Sequence, residues 1–151
     1  MKNRNMTCSE TAKVIVYSSF MLYMLDNLLD AQEKAKGSTI RLKQVLRAKT
    51  VSEDHLEVAE LSNKVWSQTI EKHKEENRKL LLGDFFDMVL LEEEKAFTKM
   101  YGDDIVQLIY RFALNMTEEG TPKEIVEDSR IVTKTLINLT RKHVFEYCKT
   151  H

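Results

Sequence analysis

Thr7-Cys8-Ser9-Glu10, followed by Val14-Ile15-Val16-Tyr17-Ser18-Ser19-Phe20-Met21-Leu22-Tyr23-Met24-Leu25, decides how the rest of the chain is read. The first four residues form a Thr-x-x-Glu capping box. The threonine oxygen can take an orphan backbone N–H while the glutamate reaches back to the cap. The twelve residues from Val14 to Leu25 hold ten apolar ones, with Ser18 and Ser19 the exceptions. Asp26 and Asp30 then interrupt the run. A membrane-spanning helix needs about 20 apolar residues, so the stretch reads as a buried core helix. It is expected to run from Ser9 to about Lys36, with Gly37 in the left-handed C-terminal position and Lys34 and Lys36 in its last turn.

Working outward, the same signals recur. A second helix is expected over Thr39 to Lys49, with Ile40, Leu42, Val45 and Leu46 on its apolar side. Thr50-Val51-Ser52-Glu53 offers another capping box for a third helix, whose Val58, Leu61, Val65 and Trp66 step at helical spacing. Glu71 to Lys79 is wholly polar and reads as a solvated extension or a bend. Leu80-Leu81-Leu82-Gly83-Asp84-Phe85-Phe86-Asp87-Met88-Val89-Leu90-Leu91 is the most apolar run after the first helix. It is read as one continuous helix through Gly83, ending near Tyr101 with Gly102 as its cap. Asp103 or Asp104 opens a fifth helix carrying Ile105, Leu108, Ile109, Phe112 and Met116. Thr121-Pro122-Lys123-Glu124 opens the last with proline at the first helical position, and that helix is expected to reach about Tyr147.

Composition agrees. Four glycines and one proline in 151 residues cannot supply the turns of an all-β sandwich or barrel. With 42% apolar and 31% charged residues, the chain is globular rather than disordered. The expected fold is therefore all-α: five or six helices in an antiparallel bundle with short loops, forming one helical domain over residues 1–151. The first and fourth helices are apolar nearly all round. Two such helices are hard to bury in so small a domain, so a homo-oligomer is expected.

Cys8 and Cys148 do not make a disulfide framework and are expected to be free thiols in a reducing compartment. The polar N-terminus leads into a cap rather than a cleavage site, which points to a cytoplasmic protein. A net charge of -1 excludes a global field toward DNA or an anionic membrane. Charge is nevertheless segregated. Lys34, Lys36, Arg41, Lys43, Arg47 and Lys49 form a basic stretch without an acid, whereas Leu80 to Asp104 carries Asp84, Asp87, Glu92, Glu93, Glu94, Asp103 and Asp104. Each is a solvated helix face, a partner of the other, or a docking face. Lys36, Arg41, Lys43, Arg47 and Lys49 are the candidate partner-binding residues, and residues 34–49 could contact nucleic-acid phosphates.

Most chemistry tested on the chain is absent. A helix-turn-helix counted from Ala59 would place its turn glycine and apolar anchors on Asn63, Lys64, Thr69 and Lys72, all polar. There is no Glu-x-x-His pair for a di-iron bundle, no zinc spacing, no phosphate loop and no nucleophile elbow. The histidines read as surface residues, and Met21, Met24, Met88, Met100 and Met116 as adaptable core. One acidic constellation remains. Glu57 and Glu60 form a Glu-x-x-Glu pair on one helical face, and Asp84 and Asp87 form a second pair. Two such helices packed together could hold Mg²⁺ through Glu57, Glu60 and Asp84. The arrangement resembles the all-α nucleotide pyrophosphohydrolases of the MazG-like group, and Leu82-Gly83-Asp84-Phe85-Phe86 is similar to that group's second motif. Leu81 stands where the group has its second glutamate. The resemblance implies metal-dependent hydrolysis with Glu57, Glu60, Asp84 and Asp87 as catalytic residues.

The reading that accounts for most of these features is a non-catalytic, all-helical interaction protein. It would self-associate through surplus apolar surface on the first or fourth helix and dock a protein partner through charged faces. The pyrophosphohydrolase-like enzyme is the alternative, and a nucleic-acid-binding helical protein the second.

Overall fold

The structure is a computed structural model and describes residues 6–26, 37–69, 78–115 and 122–151. Among them are six α-helices and no strand: α1 Cys8–Met24, α2 Gly37–Thr50, α3 Leu56–Thr69, α4 Arg78–Tyr101, α5 Asp103–Asn115 and α6 Lys123–Thr150. A single 3₁₀ turn, Glu53–His55, precedes α3. No helix among the described residues is long and apolar enough to cross a membrane.

The cap before α1 forms as expected. Thr7 Oγ1 accepts from the Glu10 N–H at 3.1 Å, and the Thr7 N–H donates to Glu10 Oε1 at 3.0 Å. The expected extension to Lys36 lies outside the described residues. Val14, Ile15, Val16, Tyr17 and Ser18 are all buried. Five consecutive helical positions sweep more than a full turn, so α1 has no exposed face along this stretch. It is the hub of the fold, packing against α2, α3, α4 and α6. Phe20 meets Phe85 of α4 at 5.5 Å between ring centroids and Trp66 of α3 at 5.7 Å. Trp66 is therefore an anchor of α3 on α1, with Tyr23 as its second ring neighbour. From Val14 to Ser18 the circumference of α1 is absorbed within the chain, and Tyr23 nearer its end is exposed.

Gly83 stays inside α4 and is buried, so the helix is continuous there. Gly102 ends it at φ +89, where an L side chain would be strained, with its N–H donating to Thr98 O at 2.8 Å. This one residue joins α4 to α5, and the two helices pack back to back as a hairpin. Beyond this hairpin and the packing of α2 on α1, chain order does not fix neighbours. α3 packs chiefly on α1 and α6, and α6 on α1, α3 and α4. The links 27–36, 70–77 and 116–121 lie outside the described residues.

Three expected helix starts are corrected. Gly37 opens α2 rather than closing the helix before it. The Thr50–Glu53 box does not form, because the Thr50 hydroxyl turns back to donate to Arg47 O at 3.3 Å within its own helix. Pro122 precedes α6 instead of entering it. Its ψ of 142 is extended, and its carbonyl accepts from the Ile125 and Val126 N–H groups.

The expectation of free thiols is also corrected. Cys8 and Cys148 form a disulfide, with Cα atoms 6.0 Å apart. It ties the first residue of α1 to the last turn of α6. Spacing could not show this, because 140 residues separate the two cysteines and only the packing of α6 along α1 brings them together.

Candidate functional site

The carboxylates proposed for Mg²⁺ do not converge. Glu57 and Glu60 lie on the exposed side of α3, which is not a packed neighbour of α4. They line a groove of about 350 Å³ together with Leu61 and Lys64 of α3 and His143, Glu146 and Tyr147 of α6. Glu57 Oε1 is engaged by His151 Nε2 at 2.9 Å, and the His151 ring stacks on Tyr147. Asp84 is half-buried on α4, beside Ser129 and Arg130 of α6, and Asp87 is exposed. Burial pushes the Asp84 carboxyl above the usual range, against the pull of Ser129 and Arg130, while Asp87 adds to the rise. Among the described residues no group of three His, Cys, Asp or Glu side chains is placed to hold a metal ion. The expected grouping of Glu57, Glu60 and Asp84 is thus corrected: α1 and α6 take the positions against α3 that the metal reading assigned to α4.

The basic stretch is partly neutralised from within. Asp26 accepts from both Lys43 Nζ at 2.9 Å and Arg47 at 3.0 Å. Two of the candidate partner-binding cations therefore converge on a carboxylate that the sequence shows only as an interruption of the apolar run. Lys49 is half-buried, and its carbonyl meets the His55 ring at 3.0 Å. Arg41 is exposed and makes no ion pair among the described residues. Lys36 lies outside them.

The acidic stretch also turns inward, at its centre. Glu92, Glu93 and Glu94 reach three different helices. Glu92 pairs with Arg141 of α6, Glu93 with Lys13 of α1 at 3.1 Å, and Glu94 accepts from the Tyr110 hydroxyl of α5 at 2.9 Å. Glu93 has a non-helical backbone (φ -127, ψ 25), which puts a kink in α4 at this junction. The Lys13–Glu93 pair is largely withdrawn from water, with side chains 18% and 11% exposed. The Tyr17 hydroxyl is buried near Glu93 and Arg141, and burial raises its pKa well above the ordinary value. These glutamates fasten the bundle rather than offering a docking face.

His143 is half-buried, within 3.3 Å of Gln68 Oε1. Burial lowers its pKa, and Lys64 and Lys142 lower it further, so it is a neutral wall residue of the groove at pH 7.

The outer face of the α4–α5 hairpin is the other feature that sequence reasoning left unplaced. The Glu94–Tyr110 bond fixes the register of the two helices. Leu114 lies one turn onward from Tyr110 on α5, and Leu91 lies before Glu94 on α4, on the far side of the Glu93 kink. Leu91 is 80% exposed and Leu114 76%, the highest values among the exposed large apolar side chains. A hydrophobic run such as Leu80–Leu91 hides this in sequence, since nothing in it distinguishes Leu91 from buried Leu90. Comparison with family models, with curated proteins and with solved structures found no match.

Proposed function

We propose that the protein is a non-catalytic helical assembly protein that associates with itself through the fourth helix. The observation that carries this reading is that Leu91 on α4 and Leu114 on α5, two helices packed on each other, are left more exposed than any other large apolar side chain among the described residues. Isolated exposed leucines need no explanation, but these two fall on the two helices of one packed hairpin, and covering them gains by leaving water. Burying one leucine side chain contributes about 1.5–3 kcal/mol, so covering Leu91 and Leu114 of each copy would add to a concentration-dependent association, against the cost of bringing two chains together. Arg41, exposed on α2, would be the contact for a further partner of acidic character.

Light scattering tests the reading. At micromolar concentration the mass should exceed the 17.7 kDa of one chain, and Leu91→Asp combined with Leu114→Asp should return it to one chain. A wild-type protein that stays at one chain's mass up to several hundred micromolar would overturn it.

A further inference from the structure

The two chain segments joined by the Cys8–Cys148 bond are held unequally by everything else. At the α1 end, Cys8 follows directly on the Thr7–Glu10 cap. Glu10 is paired with Lys99 of α4 at 3.2 Å, and Ala12, one turn on, is already core. At the α6 end, Val144 is the last buried residue, and none of residues 145–151 is buried. Tyr147 and Cys148 pack only partly against the core. The hydrogen bonds of Thr150 and His151 to Tyr147 O, and the Lys149–Glu146 pair, stay within this segment and tie it to no other helix. His151 reaches Glu57 of α3 at 2.9 Å, but that contact is exposed, and exposed pairs contribute little. The disulfide is therefore the main tie of the last turns of α6. Glu146 and Tyr147, the two residues before Cys148, line the groove opposite Glu57, Glu60, Leu61 and Lys64 of α3.

We propose that the Cys8–Cys148 bond is a redox latch on the α3–α6 groove. Oxidised, it holds the α6 wall of the groove in place. Reduced, it lets residues 145–151 loosen, while α1 keeps its cap and the rest of the bundle stays folded. Segments without buried side chains are the ones that open locally at low cost once a tie is removed. Cys8 is exposed, so a reductant can reach the bond in the folded protein. The co-reactant is a dithiol. One of its thiolates attacks the Cys8 sulfur, the S–S bond breaks, and Cys148 leaves as a thiolate that takes up a proton. The second thiol of the reagent then displaces Cys8 as a thiol. The reagent ends as a cyclic disulfide and the chain as two thiols, having gained two electrons and two protons.

Amide hydrogen exchange followed by NMR tests the latch, on the full chain with and without dithiothreitol and on Cys8→Ser/Cys148→Ser. Thiol titration of the native protein should first show two thiols released without denaturant. Exchange in residues 145–150 should then rise about tenfold on reduction. At Glu10 and Thr11, whose N–H groups bond to Thr7, it should rise less than about threefold. The double serine variant should match the reduced chain whether or not the reagent is present, which ties the effect to the bond itself. Equal protection of residues 145–150 in both redox forms would overturn the latch, since packing alone would then hold these turns. A bond that opens only in denaturant would overturn it too, as would exchange that rises along the whole chain on reduction.

Discussion

α1 and α4 look alike as sequence, yet the fold treats them differently. Each carries an apolar run too broad for one face. Around α1 the chain supplies four neighbours, and every position from Val14 to Ser18 is buried. Around α4, α1 and α6 cover the inner sides and α5 covers another, while Leu91 is left 80% exposed. Apolar content alone thus does not decide whether a helix is core or interface. That depends on how many neighbours reach it. α1 is first in the chain and is wrapped by α2, α3, α4 and α6, whereas α4 is turned back on α5 by Gly102 and keeps an outer edge.

The comparison can be broken most directly by truncation. Phe20→Ala should cost about 3–5 kcal/mol in urea unfolding, because it removes the ring that α1 packs against both Phe85 and Trp66. Leu91→Ala on α4 should stay within about 0.5 kcal/mol of wild type under dilute, monomeric conditions. Equal costs at the two positions would erase the distinction between the helices.

The disulfide sharpens the contrast, since it pins the start of α1 and gives α4 no covalent tie. Cys148→Ser, or treatment with a dithiol reductant, should lower stability by about 2–5 kcal/mol, as expected for opening a long covalent loop. The check is a pair of chemical unfolding curves with thiol titration of each sample. Coincident curves from a sample whose thiols titrate as two when reduced and none when oxidised would show that packing alone holds the two ends.

A smaller effect is expected on α4 itself, from pH. The folded state raises the Asp84 pKa, so it binds that proton more tightly than the unfolded chain does. The resulting destabilisation is absent at pH values below the ordinary aspartate range. It grows as pH rises toward the folded pKa and is constant above it. Asp84→Asn should therefore raise the thermal midpoint by a few degrees at pH 7 and lose that advantage near pH 3. A midpoint difference that is the same at both pH values would show that the gain has no titrating origin.

The parts of the fold that were legible in sequence are the ones governed by residues a few positions apart. Thr7 and Glu10 cap α1, Gly102 closes α4, and the chain passes through Gly83 without breaking. Local signals failed where two local uses competed. Thr50 could cap forward or bond backward, and the backward bond to Arg47 O formed. The candidate site was less legible. Glu57 and Glu60 do share one helical face, but the residues opposite them are His143, Glu146 and Tyr147 of α6, and not Asp84. The acidic and basic stretches read as faces, yet Glu92, Glu93, Glu94, Lys43 and Arg47 are occupied within the chain.

The sequence by itself determined that this protein is helical, where several of its helices begin and end, and that sheet architectures are excluded. Capping, glycine conformation and apolar spacing act over a few residues, and their energetics need no distant partner. Only the tertiary structure decided that α1 is enclosed from Val14 to Ser18, that Cys8 meets Cys148, that three consecutive glutamates reach three helices, and that Leu91 and Leu114 are left exposed. Each of these depends on which helices lie side by side. That choice is made by the packing of whole surfaces, between residues tens of positions apart, and no short-range pattern encodes it.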